Sequence, residues 1–306
     1  MLIRVLGSAA GGGFPQWNCG CPNCVGVRRG SIHAVARTQE SVAVSADGDS
    51  WFLLNASPEI RQQIEGFDRL HPRSLRDTPI QGIVVTNGDL DHCLGLLSLR
   101  ESQPLALYST ERILKGFSEG NVLYRTLERF EGQATWHLLE LGGREAPLKL
   151  LNGAPSGLTM RAFAAPGKPA LHLDQSTAQG GDNFGVLIRD ERSGKSLAYI
   201  SAIGSSSADV VAAASAADAV FFDGTFWSSD ELIALGASTR RAEDMAHWPI
   251  SGPSGSLRFL AELGKARRVY IHINNSNPML RDDSSERAAV HAAGVEVAFD
   301  GMELEL

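Results

Sequence analysis

Short, nearly continuous apolar segments recur along the whole chain and constrain its fold more than any other feature of the sequence. Most are rich in β-branched or aromatic residues; they cover residues 2–6, 41–45, 51–55, 82–86, 105–108, 160–164, 184–189, 197–201, 219–223, 268–273 and 295–299. Segments of this length and continuity are typical of strands that are covered on both faces. The sequence therefore predicts β-sheets that lie beneath other layers of the protein.

Helical periodicity occurs between these segments, at residues 57–65, 93–101, 110–115, 208–217, 255–263 and 284–293. The pattern predicts an α/β chain with four layers, in which two mixed sheets pack face to face and helices cover them. Two Gly- and Pro-rich stretches, 142–157 and 165–183, are predicted to be loops. Because the strand pattern resumes after each, we expect a single domain over residues 1–306 with long surface insertions.

The composition excludes several classes of function. Hydrophobic residues make up 43% of the chain and charged residues 21%, as in soluble proteins with a sizeable core. A net charge of −7 disfavours a nucleic-acid partner, because such partners are held by neutralising phosphates. No apolar run approaches the roughly 20 residues that span a bilayer, and the N-terminus lacks the pattern of a secretory signal. We therefore expect a cytoplasmic protein without a membrane partner.

A cysteine cluster lies in the loop predicted at residues 17–25. Cys19, Cys21 and Cys24 have the spacing Cys-x-Cys-x-x-Cys, so one loop can supply three corners of a tetrahedral zinc site. Three thiolates favour a structural Zn²⁺ over a catalytic one. The fourth ligand stays open: His33 is the nearest imidazole, and His272 or a neighbouring residue is the alternative. Three free thiols without a metal are the competing interpretation.

A second cluster follows the predicted strand at residues 80–85, in the stretch TNGDLDHCLGLL. Asp89, Asp91 and His92 lie where that strand ends, which is where ligands collect in α/β sheets. Carboxylates and imidazoles bind Zn²⁺, Mn²⁺ and non-haem Fe²⁺. The competing interpretation is that Asp91 caps the helix that follows.

Three further candidates come late in the chain. His272 ends an apolar strand in VYIHINNSNP, and its position at a strand end matches that of His92. Asp223 follows another apolar strand in VFFDGTFW, and His247 lies in the loop MAHWPISG. The positions of Asp223 and His247 fit the wall of a pocket, but they fit an ordinary loop equally well.

Together these residues resemble the metallo-β-lactamase superfamily, an αββα sandwich of two mixed β-sheets flanked by helices. Its members carry His-x-His-x-Asp-His after a strand, whereas this chain has Asn87 and Asp89 at the two leading positions. The closing Asp91 and His92 agree with the motif. The aspartate that bridges two metals in the superfamily is also missing, since Ala202 stands near its expected place.

Longer stretches resemble one branch of that superfamily, the B proteins of pyrroloquinoline quinone (PQQ) biosynthesis. They are GSAAGGGFPQWNCGCPNC, RTQESVAVS, NASPEIRQQI, TNGDLDHCLGLLSLRE, DNFGVLI, FFDGTFW, MAHWPISG and IHINNSNP. The resemblance implies structural zinc at the cysteine cluster and a single ion at Asp91, His92 and His272, with Asp89 as a further candidate ligand. Two imidazoles and one carboxylate leave open positions on Fe²⁺.

The resemblance further implies an iron- and O₂-dependent hydroxylase of the tyrosyl ring in a cross-linked Glu–Tyr precursor fragment. Mn²⁺ and Zn²⁺ are alternatives to Fe²⁺. Asp89 or His247 would handle protons or orient the substrate, and Asp223 joins them as a catalytic candidate. Arg4, Arg37 and Arg61 are candidates for pairing with substrate carboxylates; the sequence does not choose among them.

Two alternatives remain open at this stage. One is a carrier that binds PQQ itself and aids its release or transport, and the other is a metal-dependent hydrolase. The expected partners are a small or dipeptide-like PQQ precursor, or PQQ; a homodimer is a further option.

Overall fold

A β-sheet of seven strands forms the first half of the architecture. The computed structural model describes residues 1–173, 180–264 and 266–306, and the counts below refer to these residues. The strands are β1 (Leu2–Gly7), β2 (Ser41–Ser45), β3 (Trp51–Leu54), β4 (Ile80–Val84), β5 (Leu105–Ser109), β6 (Ala134–Leu138) and β14 (Glu303–Glu305). Their order is β14-β1-β2-β3-β4-β5-β6. Pairs from β14 to β3 are antiparallel, and pairs from β3 to β6 are parallel.

The second sheet also has seven strands over the described residues. They are β7 (Ala146–Lys149), β8 (Pro155–Ala164), β9 (Phe184–Asp190), β10 (Ser196–Ile200), β11 (Ala219–Asp223), β12 (Arg267–Ile271) and β13 (Glu296–Val297). Their order is β13-β12-β11-β10-β9-β8-β7. Strands β10 to β13 are parallel, and β7 to β10 are antiparallel. Both sheets are therefore mixed, as the sequence predicts.

Eight α-helices accompany the sheets in the described part of the chain. They are α1 (Pro22–Arg29), α2 (Ile60–Glu65), α3 (Leu90–Cys93), α4 (Glu111–Ser118), α5 (Ala208–Ala216), α6 (Glu231–Ala234), α7 (Ser256–Ala261) and α8 (Ser285–Ala292). Helices α4, α5 and α8 begin at hydroxyl residues. Thr110, Ser207 and Ser284 each accept a hydrogen bond from the backbone N–H three residues further on, which satisfies one of the free donors at a helix start.

Two hydrophobic clusters explain why the strand segments are apolar on both faces. In β11, Phe221 belongs to the cluster that joins the two sheets, whereas the next residue, Phe222, belongs to the cluster beneath α5, α7 and α8. Both side chains are completely buried. Because successive side chains of a strand point to opposite faces, a strand between two apolar layers must be hydrophobic throughout.

Every predicted strand segment overlaps a strand of the structure, but several boundaries and elements differ. The strands β6, β7 and β14 are not predicted, and the stretch 142–157, predicted as a loop, contains β7 and the start of β8. The cysteine loop predicted at 17–25 is helical from Pro22 onward, where α1 begins. The predicted helix 93–101 is α3 followed by a 3₁₀ segment, Leu94–Leu99. Of the predicted loop 165–183, residues 174–179 lie outside the described residues.

No helix in the described ranges combines the length and the apolar character needed to cross a membrane.

Candidate metal centre

The candidate metal ligands and catalytic residues lie close together where strands of both sheets end. Asp91 and His92 lie on α3, which follows β4 of the first sheet, and His272 follows the last residue of β12 in the second sheet. Asp223 is the last residue of β11, the neighbour of β12. The carboxyl ends of these strands thus bring groups that are 180 residues apart in sequence into one place.

Three donor atoms converge at this point. His92 Nε2 lies 3.1 Å from His272 Nε2, and His272 Nε2 lies 3.1 Å from Asp91 Oδ2. The third distance, from His92 Nε2 to Asp91 Oδ2, is 3.5 Å. Ligands that share one ion at about 2.0–2.1 Å necessarily lie about 3 Å apart. The spacing and the donor types therefore fit a single divalent cation.

A hydrogen-bond relay fixes the protonation of His272. The hydroxyl of Thr225 donates to Asp223 Oδ1 at 2.5 Å and lies 2.8 Å from His272 Nδ1. Since its single proton is given to the carboxylate, the hydroxyl accepts from Nδ1–H of the ring. This tautomer, inferred from the network, leaves Nε2 of His272 available to a metal.

A buried polar network stands behind His92. Asn55 Nδ2 lies 2.6 Å from His92 Nδ1 and donates to Glu40 Oε2 at 2.9 Å, and the hydroxyl of Tyr199 donates to Glu40 Oε1. The oxygen of Asn55 accepts from Thr86, so its NH2 group faces Nδ1 of His92, and the Glu40 carboxyl lies 3.7 Å from the same nitrogen. Each of the two histidines therefore has a buried carboxyl within 4 Å of its Nδ1, but only His272 has an acceptor for Nδ1–H, the hydroxyl of Thr225.

Burial and mutual charge shift the pKa values of the cluster in opposite directions. Burial would raise the pKa of Asp91, but the charge of His92 and the hydrogen bond from His272 outweigh it and hold that pKa below its usual range. Burial lowers the pKa of His92 to about 4. For His272, hydrogen bonds to Asp223 and Asp91 outweigh burial and raise the pKa to about 10. Burial raises the pKa of Glu40 to about 8.

His247 reaches the same site from a loop. Its Nδ1 lies 2.7 Å from Asp223 Oδ2, and its ring stacks on that of His272 with the centroids 5.6 Å apart. The predicted candidates Asp223 and His247 therefore do lie at the centre. Asp223, His247 and His272 have donor atoms close enough for a second ion. However, Nδ1 of His272, which lies 3.9 Å from Asp223 Oδ1, already donates to Thr225.

The positions of the missing superfamily ligands serve other contacts. The side chain of Asn87 faces Asn183, and Asp89 Oδ1 accepts from the backbone N–H of Leu171 at 3.0 Å. Asp89 lines the cavity but is not part of the three-donor group. The alternative role of Asp91 as a helix cap is wrong, because α3 begins at Leu90 and the cap position is Asp89.

Unusual backbone angles cluster around the centre. Four non-glycine residues have positive φ over the described ranges, and three of them are Asn55 (64°), Ala246 (60°) and His272 (57°). Each is a site residue or the neighbour of one. Residues other than glycine adopt positive φ at a cost of about 1–2 kcal/mol, and residues with such backbone angles are frequent at functional sites.

A cavity of about 650 Å³ opens onto the three donor atoms. Gly11 forms part of its wall, and a Cβ there would come within 3.3 Å of Asp91 Oδ2, so the loop after β1 passes close to this ligand. Lys168 is the only Lys or Arg among the described lining residues.

None of the three arginines predicted to pair with substrate carboxylates lines this cavity. Arg4 bonds Glu303, Arg37 is buried against the carbonyl of Ala298, and Arg61 is exposed on α2.

The cysteine cluster forms a separate site. The sulfurs of Cys19, Cys24 and Cys21 lie 3.1, 3.3 and 3.6 Å from Nδ2 of Asn275. His33 is exposed and outside the group, and His272 belongs to the other centre. Of the alternatives for a fourth ligand, a neighbour of His272 is the one that reaches the thiols.

Several residues of the site carry no signal in a single sequence. They are ordinary polar residues whose partners are distant in the chain, and only their positions near the ends of strands point to them: Glu40, Asn55, Thr225 and Asn275. Tyr199 is hidden inside an apolar strand.

Comparisons with known proteins agree with this architecture. The family model described as a β-lactamase superfamily domain matches residues 50–273. The chain is 46% identical to coenzyme PQQ synthesis protein B of Azoarcus sp. (strain BH72) and 44% identical to that of Pseudomonas putida (strain W619), over the full length of each. The 1.98 Å crystal structure of Zn²⁺-bound PqqB from Methylobacterium extorquens has a TM-score of 0.91 and 41% identity, covering all of both chains. This chain belongs to the β-lactamase superfamily and, within it, to the family of coenzyme PQQ synthesis protein B.

Proposed function

We propose that this chain acts in PQQ biosynthesis, where it hydroxylates the tyrosyl ring of a cross-linked Glu–Tyr precursor fragment with Fe²⁺ and O₂. The biosynthetic role is supported by the name that its full-length relatives share. The reaction inserts one oxygen atom of O₂ into a ring C–H bond. The other oxygen leaves as water, with two protons and two electrons from an external reductant.

The observation that carries this proposal is the donor set of Asp91, His92 and His272. Two imidazoles and one carboxylate with open positions are the ligand set of non-haem Fe²⁺ oxygenases. When bound there, iron supplies the redox chemistry that activates O₂. The hydroxyl of Thr225, which donates to Asp223 and accepts from Nδ1–H of His272, supports ligation through Nε2 of that ring.

The neighbouring contacts support occupation by one ion rather than two. A hydrolytic site of this fold uses a second metal ion to hold the attacking hydroxide. Here Asn87 and Asp89 engage Asn183 and Leu171 instead of a second ion. These contacts therefore favour the hydroxylase over the hydrolase as the proposed activity.

Proton transfer is the task of the protein's own groups. Asp223 binds Nδ1 of His247, so the nitrogen left to exchange a proton with a phenol in the cavity is Nε2. This arrangement, a carboxylate that orients an imidazole, is the usual one for a general base. Asp89, which also lines the cavity, is the second candidate.

We also infer that Cys19, Cys21 and Cys24 hold a structural zinc, with the carboxamide of Asn275 as the fourth ligand. Half a turn of that amide exchanges its nitrogen and oxygen, so the oxygen can face the three sulfurs. Burial raises the pKa of the Cys24 thiol to about 11, which means that zinc binding must release its proton.

Single-turnover chemistry tests the hydroxylase. Protein loaded anaerobically with Fe²⁺ is given the cross-linked Glu–Tyr fragment, a reductant and ¹⁸O₂, and the product is analysed by mass spectrometry. We expect one ¹⁸O atom in the ring, no incorporation with His92→Ala or His272→Ala, and normal incorporation with His71→Ala, an exposed histidine that does not line the cavity.

Two results would replace the proposal with an alternative. Cleavage of the fragment without O₂ indicates a hydrolase. Tight binding of PQQ, equal in wild type and His92→Ala, without any oxygen incorporation indicates a carrier.

A further inference from the structure

One cationic side chain that lines the cavity has no ion-pair or hydrogen-bond partner among the described residues. Lys168 lines the same cavity as Asp91, His92 and His272. Among the described residues it makes no hydrogen bond and has no carboxylate within ion-pair distance. Asp89, a carboxylate that lines the same cavity, already accepts from Leu171. A half-buried ammonium left in this state is ready to bind an anion that enters from solvent.

The loop that carries Lys168 is fixed at its base. A Cβ on Gly167 would lie 2.5 Å from Cβ of Asn183, so the backbone packs directly on that side chain. Asn183 Nδ2 in turn donates to the carbonyl of Ala202 at 2.7 Å, and Pro166 accepts from the N–H of Gly204 at 2.7 Å. Because these contacts hold the segment from both sides, the position of Lys168 is set by the fold.

The electrostatic surroundings of Lys168 are mixed. Burial lowers the pKa of Lys168, while Asp89 and Asp91 raise it and the guanidinium of Arg240 lowers it further. A metal ion at the three donors would draw the Asp91 charge to itself. Lys168 is then the one ammonium or guanidinium group among the described residues that line the cavity.

Several of the other lining residues are apolar. Leu90 and Leu171 line the cavity and are 54% and 66% exposed, and Phe226 and Met245 lie on the same wall. Large apolar side chains exposed beside a cavity are typical of a ligand-binding surface. Together with a single cation, they suit a flat ring that carries a carboxylate.

We propose that Lys168 binds a carboxylate of the substrate and selects anionic aromatic compounds for this site. The inference deepens the proposed function, on which its choice of substrate class rests. It assigns to Lys168 the role that the sequence offered to Arg4, Arg37 and Arg61.

Equilibrium binding of PQQ, a planar tricarboxylate, tests the proposal on the Zn²⁺-loaded protein. We expect Lys168→Met to weaken binding roughly 10- to 100-fold, as when a charged hydrogen bond is lost. Lys168→Arg should stay within about threefold of wild type, because the charge is kept. Lys149→Met, which removes the same charge from the exposed strand β7, should bind as wild type does. The trimethyl ester of PQQ should bind Lys168→Met and wild type alike.

Unchanged PQQ affinity in Lys168→Met would overturn the proposal. So would an equal loss for PQQ and its ester, or a parallel loss of bound metal, since Lys168 would then act on packing or on the ligands. The two proposals can be contradicted independently. If wild type binds PQQ through Lys168 but incorporates no oxygen, only the hydroxylase proposal is contradicted. If wild type hydroxylates the fragment and Lys168→Met has the same KM, only the proposed carboxylate site is contradicted.

Discussion

The two ligand histidines differ in how their second nitrogen is held. His272 donates through Thr225 to Asp223, a carboxylate whose pKa is held below its usual range by His247 and His272 despite burial. His92 is backed by Glu40, which burial keeps protonated near neutral pH. The pair thus combines one ring whose Nδ1–H has an acceptor with one whose Nδ1 faces the amide of Asn55.

Thr225→Val should weaken metal binding about 10- to 100-fold, because Nδ1–H of His272 loses its acceptor. Competition with a chromophoric chelator measures the affinity. Thr126→Val, at an exposed hydroxyl that bonds only the carbonyl of Leu123, is the control. Equal affinities in both variants would show that the relay does not support the ligand.

Glu231 gives a pH-dependent prediction away from both centres. Burial raises its pKa to about 7 although Ser276 and the N–H of Trp227 donate to it. Since the folded pKa exceeds the unfolded one of 4.5, its stabilising contribution is complete below about pH 4.5 and is lost as pH rises to about 7. The loss amounts to about 3 kcal/mol.

Urea unfolding of wild type and Glu231→Gln between pH 5 and pH 8 checks this. The free energy of unfolding of wild type should fall relative to the variant across that interval and stay level above it. Parallel curves would mean that Glu231 titrates normally.

At the scale of elements, helix α1 connects the cysteine cluster to the loop after β12. Cys21 accepts from the N–H of Cys24 at the helix start, and Asn23 donates to the carbonyls of Asn275 and Asn277. The loop that would hold zinc is therefore packed against the same segment that carries His272.

Cys21→Ser should abolish the zinc of this cluster, and Asn275→Ala should lower its affinity. The zinc content is measured by metal analysis after dialysis against a weak chelator. All variants carry His92→Ala as well, so that the cysteine cluster is the one remaining site. Cys93→Ala is the matched control, because Cys93 is a buried thiol outside the cluster. Full zinc content in Cys21→Ser would refute the site.

The strands show which parts of the fold can be predicted from a single sequence. Strands covered on both faces, such as β11, are predictable because burial on two sides demands a continuous apolar run. The edge strands β6 and β7 are largely exposed and have no such pattern. His92 and His272 are predictable because each follows an apolar strand, His272 directly after β12 and His92 on the helix after β4. Lys168 and Asn275 are not, since their roles depend on partners brought close only by the fold.

For the whole molecule, the centre joins the two sheets. Asp91 and His92 come from the half that contains β4, and His272 comes from the half that contains β12. An ion bound by all three is therefore a cross-link that exists only in the folded protein, so it must stabilise the entire chain.

Adding Zn²⁺ at 100 times its Kd to protein with an empty centre should raise the free energy of unfolding by about 2.7 kcal/mol. Thermal unfolding of wild type and His272→Ala, each with the cysteine cluster filled, makes the comparison. The variant should gain nothing from the added metal. An equal gain in both would place the stabilising ion elsewhere.

The positive φ angles at Ala246 and His272 have a consequence for evolution in the laboratory. Glycine relieves such a backbone, so Ala246→Gly offers an early step to any selection for a higher melting temperature. At Ala246 the step leaves every ligand in place. At His272 the same step would delete a ligand and a buried ring that bonds Thr225 and Asp91, which costs more stability than the relieved backbone returns. A library screened for heat resistance should therefore gather replacements at Ala246 and keep the histidine, even without a screen for activity.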